Sequence, residues 1–152
     1  MIQYPLTFKV SSLATGHTST AWKSCYYPTT GEAQWAAVAI PPEFDGPGGG
    51  YSPEDFYALA LLNCFVATFK VIAEKSKLDF KDFNCEGRLT VDRDEKGAPW
   101  MSAFKINGTL TGVVDAERAR RILEKTSQSC MVLNSVKTVK TFEWTVEGVN
   151  SK

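Results

Sequence analysis

Ser52-Pro53-Glu54-Asp55-Phe56-Tyr57-Ala58-Leu59-Ala60-Leu61-Leu62-Asn63-Cys64-Phe65-Val66-Ala67-Thr68-Phe69-Lys70-Val71-Ile72-Ala73-Glu74-Lys75 is the longest helical pattern in the chain. Ser52 suits the N-cap, Pro53 the first helical position, and Glu54 and Asp55 the positive end of the helix. Ala58, Leu59, Leu61, Leu62, Phe65, Val66, Phe69, Ile72 and Ala73 recur at three- and four-residue spacing, giving one broad apolar face. No charge falls between Asp55 and Lys70. Such a helix is expected to be buried on nearly every side, by its own sheets or by a second chain. Cys64 lies in its middle, where a free cysteine is ordinarily an inert small hydrophobe.

Outward from this helix the chain alternates. Residues 6–13, 21–27 and 33–40 read as strands of a small antiparallel meander, with Leu6, Phe8 and Val10 on one face of the first. Residues 41–51 are rich in Gly and Pro and stand immediately before the helix, either as a linker or as a source of backbone amides for a site. They are no phosphate loop, because no Gly-Lys-Ser/Thr follows. After the helix come strands at 84–92 and 99–111 around the turn Arg93-Asp94-Glu95-Lys96-Gly97. Asp115 caps a second helix over 116–129, with Ala119, Ile122, Leu123, Thr126 and Cys130 toward one face. A strand over 136–146 closes the chain. Strand groups divided by helices argue for an α+β domain with two antiparallel sheets. The expected plan is one domain over 1–152: strands to 40, the Gly/Pro segment 41–51, the central helix 52–75, and a strand-helix-strand unit over 84–150.

Seventeen basic and seventeen acidic residues cancel, so no electrostatic footprint for nucleic acid or anionic membrane is present. The apolar run of the central helix stops at Lys70, short of a membrane span. Met1-Ile2-Gln3-Tyr4-Pro5 has no basic or apolar leader pattern, and a cytoplasmic location is the expectation. Four cysteines, Cys25, Cys64, Cys85 and Cys130, then do not predict a structural disulfide framework. With a single histidine, His17, their spacing is not that of zinc ligands. There is likewise no GxSxG or HExxH pattern.

Gly46-Pro47-Gly48-Gly49-Gly50-Tyr51-Ser52-Pro53-Glu54-Asp55, leading to Leu62-Asn63-Cys64-Phe65 and later to Ser129-Cys130-Met131-Val132, resembles the OsmC/Ohr superfamily of thiol-dependent peroxidases. The resemblance runs over almost the whole chain. It implies an OsmC-like fold in an intertwined homodimer, each sheet built by two chains around central helices. It also implies reduction of organic hydroperoxides without metal or bound cofactor, reset by a dithiol that is lipoyl-type in some members. Carried over, Cys64 matches the peroxidatic cysteine and Cys130 the resolving one. Cys25 and Cys85 match neither and read as packing residues.

The implied chemistry needs an activated thiolate. Cys64 is too far along its helix for the end amides to act, and burial alone would raise its pKa. The family pattern supplies an arginine held by the glutamate before the helix. Glu54 is present, but the arginine is not: after Ala14-Thr15-Gly16 come His17, Thr18 and Ser19, with Thr18 at the arginine position. His17 is a candidate replacement, as imidazolium or proton relay; Lys23 is the nearest downstream cation. Glu54 and Cys64 are about 15 Å apart along one helix, so a shared pocket would take the glutamate from the other subunit. The alternative is a non-enzymatic OsmC-like protein binding a small apolar or thiol-reactive ligand at the dimer cleft, with Phe56, Tyr57, Phe65 and Phe69 as candidate lining. A purely structural dimerisation domain would make both cysteines incidental.

Overall fold

Short antiparallel pairing organises the first of two units, Met1–Phe56 and the chain from Tyr57 onward; the structure, a computed structural model, describes residues 1–149. Strands β1 (Val10–Leu13), β2 (Trp22–Tyr26) and β3 (Gln34–Val38) form one antiparallel sheet in chain order. The meander is as expected, but β1 begins only at Val10. Its pairing with β2 runs out opposite Tyr26, and Pro28 then takes that strand away. Leu6 and Phe8 alternate correctly yet have no ladder to join, and both are exposed in this chain. Cys25 is buried, with its sulfur 3.2 Å from the Ser11 hydroxyl.

The Gly/Pro segment folds back on β3. A short 3-10 turn covers Pro42–Phe44, the Gly48 N–H donates to the Ile40 carbonyl at 3.0 Å, and Tyr51 pairs with Val38. Gly46 is required by this close approach, since a Cβ there would stand 2.1 Å from the Ile40 carbonyl oxygen.

Helix α1 (Pro53–Lys75) starts as the sequence predicts. The Asp55 N–H donates to Ser52 Oγ at 3.0 Å, and the Ser52 N–H donates to Asp55 Oδ2 at 2.8 Å, a reciprocal cap. One expectation about this helix needs correction, that its apolar run falls short of a membrane span. Burial on nearly every side is expected of its own sheets or of a second chain, and its own chain covers one stripe. Within the chain only Leu61, Phe65, Phe69 and Ala73 are fully buried, one stripe at four-residue spacing, while Phe56, Leu59, Ala60, Asn63, Ala67 and Val71 are exposed. By length and composition the helix is also sufficient to cross a membrane, because Lys70 alone does not interrupt its apolar run. Its buried stripe nevertheless belongs to the core of the second unit.

That unit is a sheet with helices on one face. Strands β4 (Asp82–Arg93), β5 (Pro99–Val113) and β6 (Val139–Gly148) lie in that order. β4 and β5 form the predicted antiparallel hairpin, but β6 runs parallel to β5. The second sheet is therefore mixed, not antiparallel. The cause is the connection: helix α2 (Ala116–Ser129) and the single turn α3 (Met131–Asn134) together form a crossover long enough to return the chain to the same end. The expected C-terminal unit ends at residue 150, outside the described residues.

Phe83, Cys85 and Leu89 of β4, Phe104, Ile106 and Leu110 of β5, and Phe142, Trp144 and Val146 of β6 face inward. Phe65 of α1 stacks on Trp144 with ring centroids 5.0 Å apart, and Phe69 meets Phe83 at 4.4 Å. Ala119, Ile122 and Leu123 of α2 and Leu133 of α3 complete the same core. These contacts fix α1 on the sheet and so fix the position of Cys64.

Candidate functional site

Asp115 accepts the Arg118 N–H at 3.0 Å and starts α2, whose amphipathic face carries the chain to Cys130. The Arg118 guanidinium also donates to the Ser76 carbonyl just past the end of α1, tying together the two helices that bear the cysteines. Cys130 itself leaves the helix in an extended conformation, φ −71° and ψ 111°, and its sulfur turns inward at the start of α3. It is fully buried and lies beside the partly buried Cys64. Both thiols are free.

Two further groups meet this pair. The Val132 N–H, in the turn after Cys130, donates to Cys64 Sγ at 3.5 Å. The Thr68 hydroxyl, one turn after Cys64 on α1, stands 4.0 Å from Cys64 Sγ. Sequence reasoning looked for a charged side chain and found neither. A main-chain amide has no residue signature, but the four-residue spacing of Cys64 and Thr68 places them on one helix face and was available to find the second.

The pair is asymmetric. Burial pushes the Cys130 thiol up to about 11, and the neighbouring Cys64 adds to the rise. The Leu133 backbone and the Thr68 hydroxyl act in the opposite direction. Cys130 therefore holds its proton at neutral pH. Cys85, on β4, is pushed up to about 12 by burial.

The other expected site residues belong to the first unit. Glu54 lies in the first turn of α1; its Oε2 is buried and has no hydrogen-bond partner among the described residues. His17 is exposed in the loop between β1 and β2, where its carbonyl accepts the Thr20 N–H at 2.9 Å. Lys23 is an exposed residue of β2, opposite Leu13 and Ala37. The geometry thus joins Cys64 to Cys130 and adds Thr68 and the Val132 amide.

Residues 46–145, from the glycines before α1 to the inward-facing part of β6, match the family described as OsmC-like protein. The chain belongs to that family. This OsmC-like chain is also 26% identical over 105 residues to the uncharacterized protein YmaD of Bacillus subtilis, covering 66% of the chain and 69% of YmaD. Among solved structures, an OsmC-like protein of unknown function from Vibrio cholerae superposes with a TM-score of 0.78 at 14% identity, covering 92% of this chain and 99% of that one. An organic hydroperoxide resistance protein OsmC from Legionella pneumophila gives 0.72 at 17% identity, covering 95% and 99%. The organic hydroperoxide resistance protein OhrB of Bacillus subtilis gives 0.66 at 15%, covering 93% and 98%. At these identities the likeness establishes the α+β fold with its long central helix. The family match links the chain to thiol-dependent redox proteins of the OsmC/Ohr type.

Proposed function

We propose that this OsmC-like protein reduces organic hydroperoxides to alcohols, with Cys64 as the attacking thiolate and Cys130 as the resolving thiol. The reading includes a homodimer, a cytoplasmic setting, and an external dithiol of the lipoyl type as reductant. It has an unusual feature for its family, the absence of the N-terminal arginine, with Thr18 at the corresponding position and His17 beside it. The names of the Legionella and Bacillus hydroperoxide resistance proteins point the same way. The observation that carries the proposal is the pairing of Cys64 with a protonated, buried Cys130 while the Val132 N–H faces the Cys64 sulfur.

The chemistry follows from that asymmetry. The Cys64 thiolate attacks the terminal oxygen of the hydroperoxide, the O–O bond breaks, and the alkoxide takes a proton to leave as the alcohol. Cys64 is now a sulfenic acid. Cys130 attacks its sulfur, the S–OH bond breaks, and hydroxide leaves with the Cys130 proton as water. Exchange with the external dithiol returns both thiols.

Anaerobic titration of the reduced protein with one equivalent of cumene hydroperoxide tests this. Two thiols should disappear into a Cys64–Cys130 disulfide, identified by peptide mass. Cys64→Ser should abolish the reaction, and Cys130→Ser should stop it at sulfenic acid. If Cys64 reacts no faster than a free thiol in solution and no disulfide forms, the peroxidase reading is wrong. The unpartnered Glu54 Oε2 favours the second reading, a non-enzymatic protein that binds a small apolar or thiol-reactive ligand at a dimer cleft. That outcome of the titration would put it first.

A further inference from the structure

Between Cys130 and the start of β6 the chain meets α1 at two points. The first is at the thiols, where the Val132 N–H donates to Cys64 Sγ at 3.5 Å. The second is at Tyr57, whose hydroxyl stands 2.6 Å from Thr138 Oγ1. Tyr57 and Cys64 are seven residues apart, so they share one face of the helix at a separation of about 10 Å. Leu61 of α1 and Leu133 of α3, both fully buried, belong to one core cluster.

Proton count fixes the direction of the second contact. Thr138 is 2% exposed, and it donates its one hydroxyl proton to the Met101 carbonyl of β5 at 2.8 Å. Tyr57 must then be the donor to Thr138, and the relay runs from α1 through Thr138 to the sheet. Buried hydroxyls are costly unless paired, so the two side chains hold each other. Shorter clasps shape the rest of the segment. Asn134 Nδ2 donates to the Gln128 carbonyl at 3.0 Å, Ser135 Oγ to the Met131 carbonyl at 2.8 Å, and Lys140 Nζ to the Val136 carbonyl at 3.0 Å. Each of these is local in sequence, whereas the Tyr57 bond reaches the cysteine helix.

We propose that Tyr57 is a positioning residue for Cys64: by fastening α1 to Thr138 it keeps the Val132 N–H on the Cys64 sulfur. The inference rests on the reading of Cys64 as the attacking thiolate and adds what holds its main-chain donor in place. An N–H···S contact of 3.5 Å is long and holds two segments together only weakly. It serves a thiolate only while the backbone around it stays in place, because such a bond weakens steeply with distance and misalignment. The hydroxyl relay supplies that hold from about 10 Å along the helix, without touching the sulfur.

Tyr57→Phe removes the donor and keeps the ring. Iodoacetamide labelling of the reduced protein, followed across pH by peptide mass, should show the Cys64 midpoint raised by about half a pH unit, an about threefold loss of rate below it. Thr138→Val should raise it at least as far, and Thr138→Ser should match the parent protein. Adding Tyr57→Phe to Thr138→Val should move the midpoint no further, since both act through one bond. Labelling of Cys85, which faces inward on β4, should stay at the parent rate. A parent-like midpoint in Tyr57→Phe overturns the proposal, as do shifts that add in the double variant. A matching rise in Cys85 labelling overturns it too, by showing general loosening of the fold. Hydroperoxide plays no part in this measurement. A parent protein inert to cumene hydroperoxide whose midpoint still moves in Tyr57→Phe would sink the peroxidase reading alone. A parent protein that reduces the hydroperoxide, with an unmoved midpoint in the variant, would sink only the role of Tyr57.

Discussion

Cys85 shows how differently the fold treats thiols that look alike in the sequence. It sits inside the β4 hairpin opposite Gly108, and burial pushes it up to about 12, where an ordinary thiol is near 9.0. The folded state therefore holds this proton more tightly than the unfolded chain does. The sign follows by linkage: the stabilisation is complete below the unfolded pKa and is lost as pH rises through the folded one. Denaturant midpoints should accordingly fall as pH rises from about 9 toward about 12, and the fall should be shallower in Cys85→Ala. Equal slopes in the two proteins would remove Cys85 from the account. At this scale the residues bearing reactive side chains were legible and their donors were not. Cys64 and Cys130 stood out through the family pattern. The Val132 amide had no side chain to announce it, and Thr68 is a single polar residue within an apolar run.

Helices declared themselves better than strands did, because their end signals are local. Asp115 began α2 and Ser52 capped α1, each through a side chain three residues from its partner. Strand direction is not local. The alternation in β6 is the same for a parallel or an antiparallel neighbour, and only the crossover through α2 and α3 decides between them. Strand length is not local either, as Leu6 and Phe8 show by alternating without a ladder. Close approach between sheet and side chains is another property that no periodicity reveals. At Gly108 on β5, a Cβ would come within 2.9 Å of both Phe83 and Trp144, the rings on which Phe65 and Phe69 of α1 rest. Gly108→Ala should thus cost about 1–3 kcal/mol by overpacking and disturb the seating of the cysteine helix. Equilibrium denaturation measures the loss, and a change below a few tenths of a kcal/mol would mean that the rings move aside freely.

For the whole molecule, the exposed residues of α1 carry the argument. Phe56, Leu59, Ala60, Ala67 and Val71 remain open in one chain, as do Phe8, Val10 and Trp35 of the first unit. A second copy is the occupant that the homodimer reading supplies, with apolar faces covered across a two-fold axis. Such a dimer makes a definite prediction about Glu54. Along α1 it lies about 15 Å from the Cys64 of its own chain, so a carboxylate that serves the thiol should come from the partner chain. Glu54→Gln and Cys64→Ser should each be inactive alone. Mixed as equal amounts and allowed to exchange subunits, half of the dimers combine one chain of each kind. Each mixed dimer then contains one site with Cys64 from one chain and Glu54 from the other, and one site with neither. About a quarter of the parent activity should return, by the arithmetic of random pairing in a symmetric dimer. If glutamate and cysteine served the same chain's site, every site in the mixture would lack one of them, and no activity would return after exchange proven by native mass spectrometry.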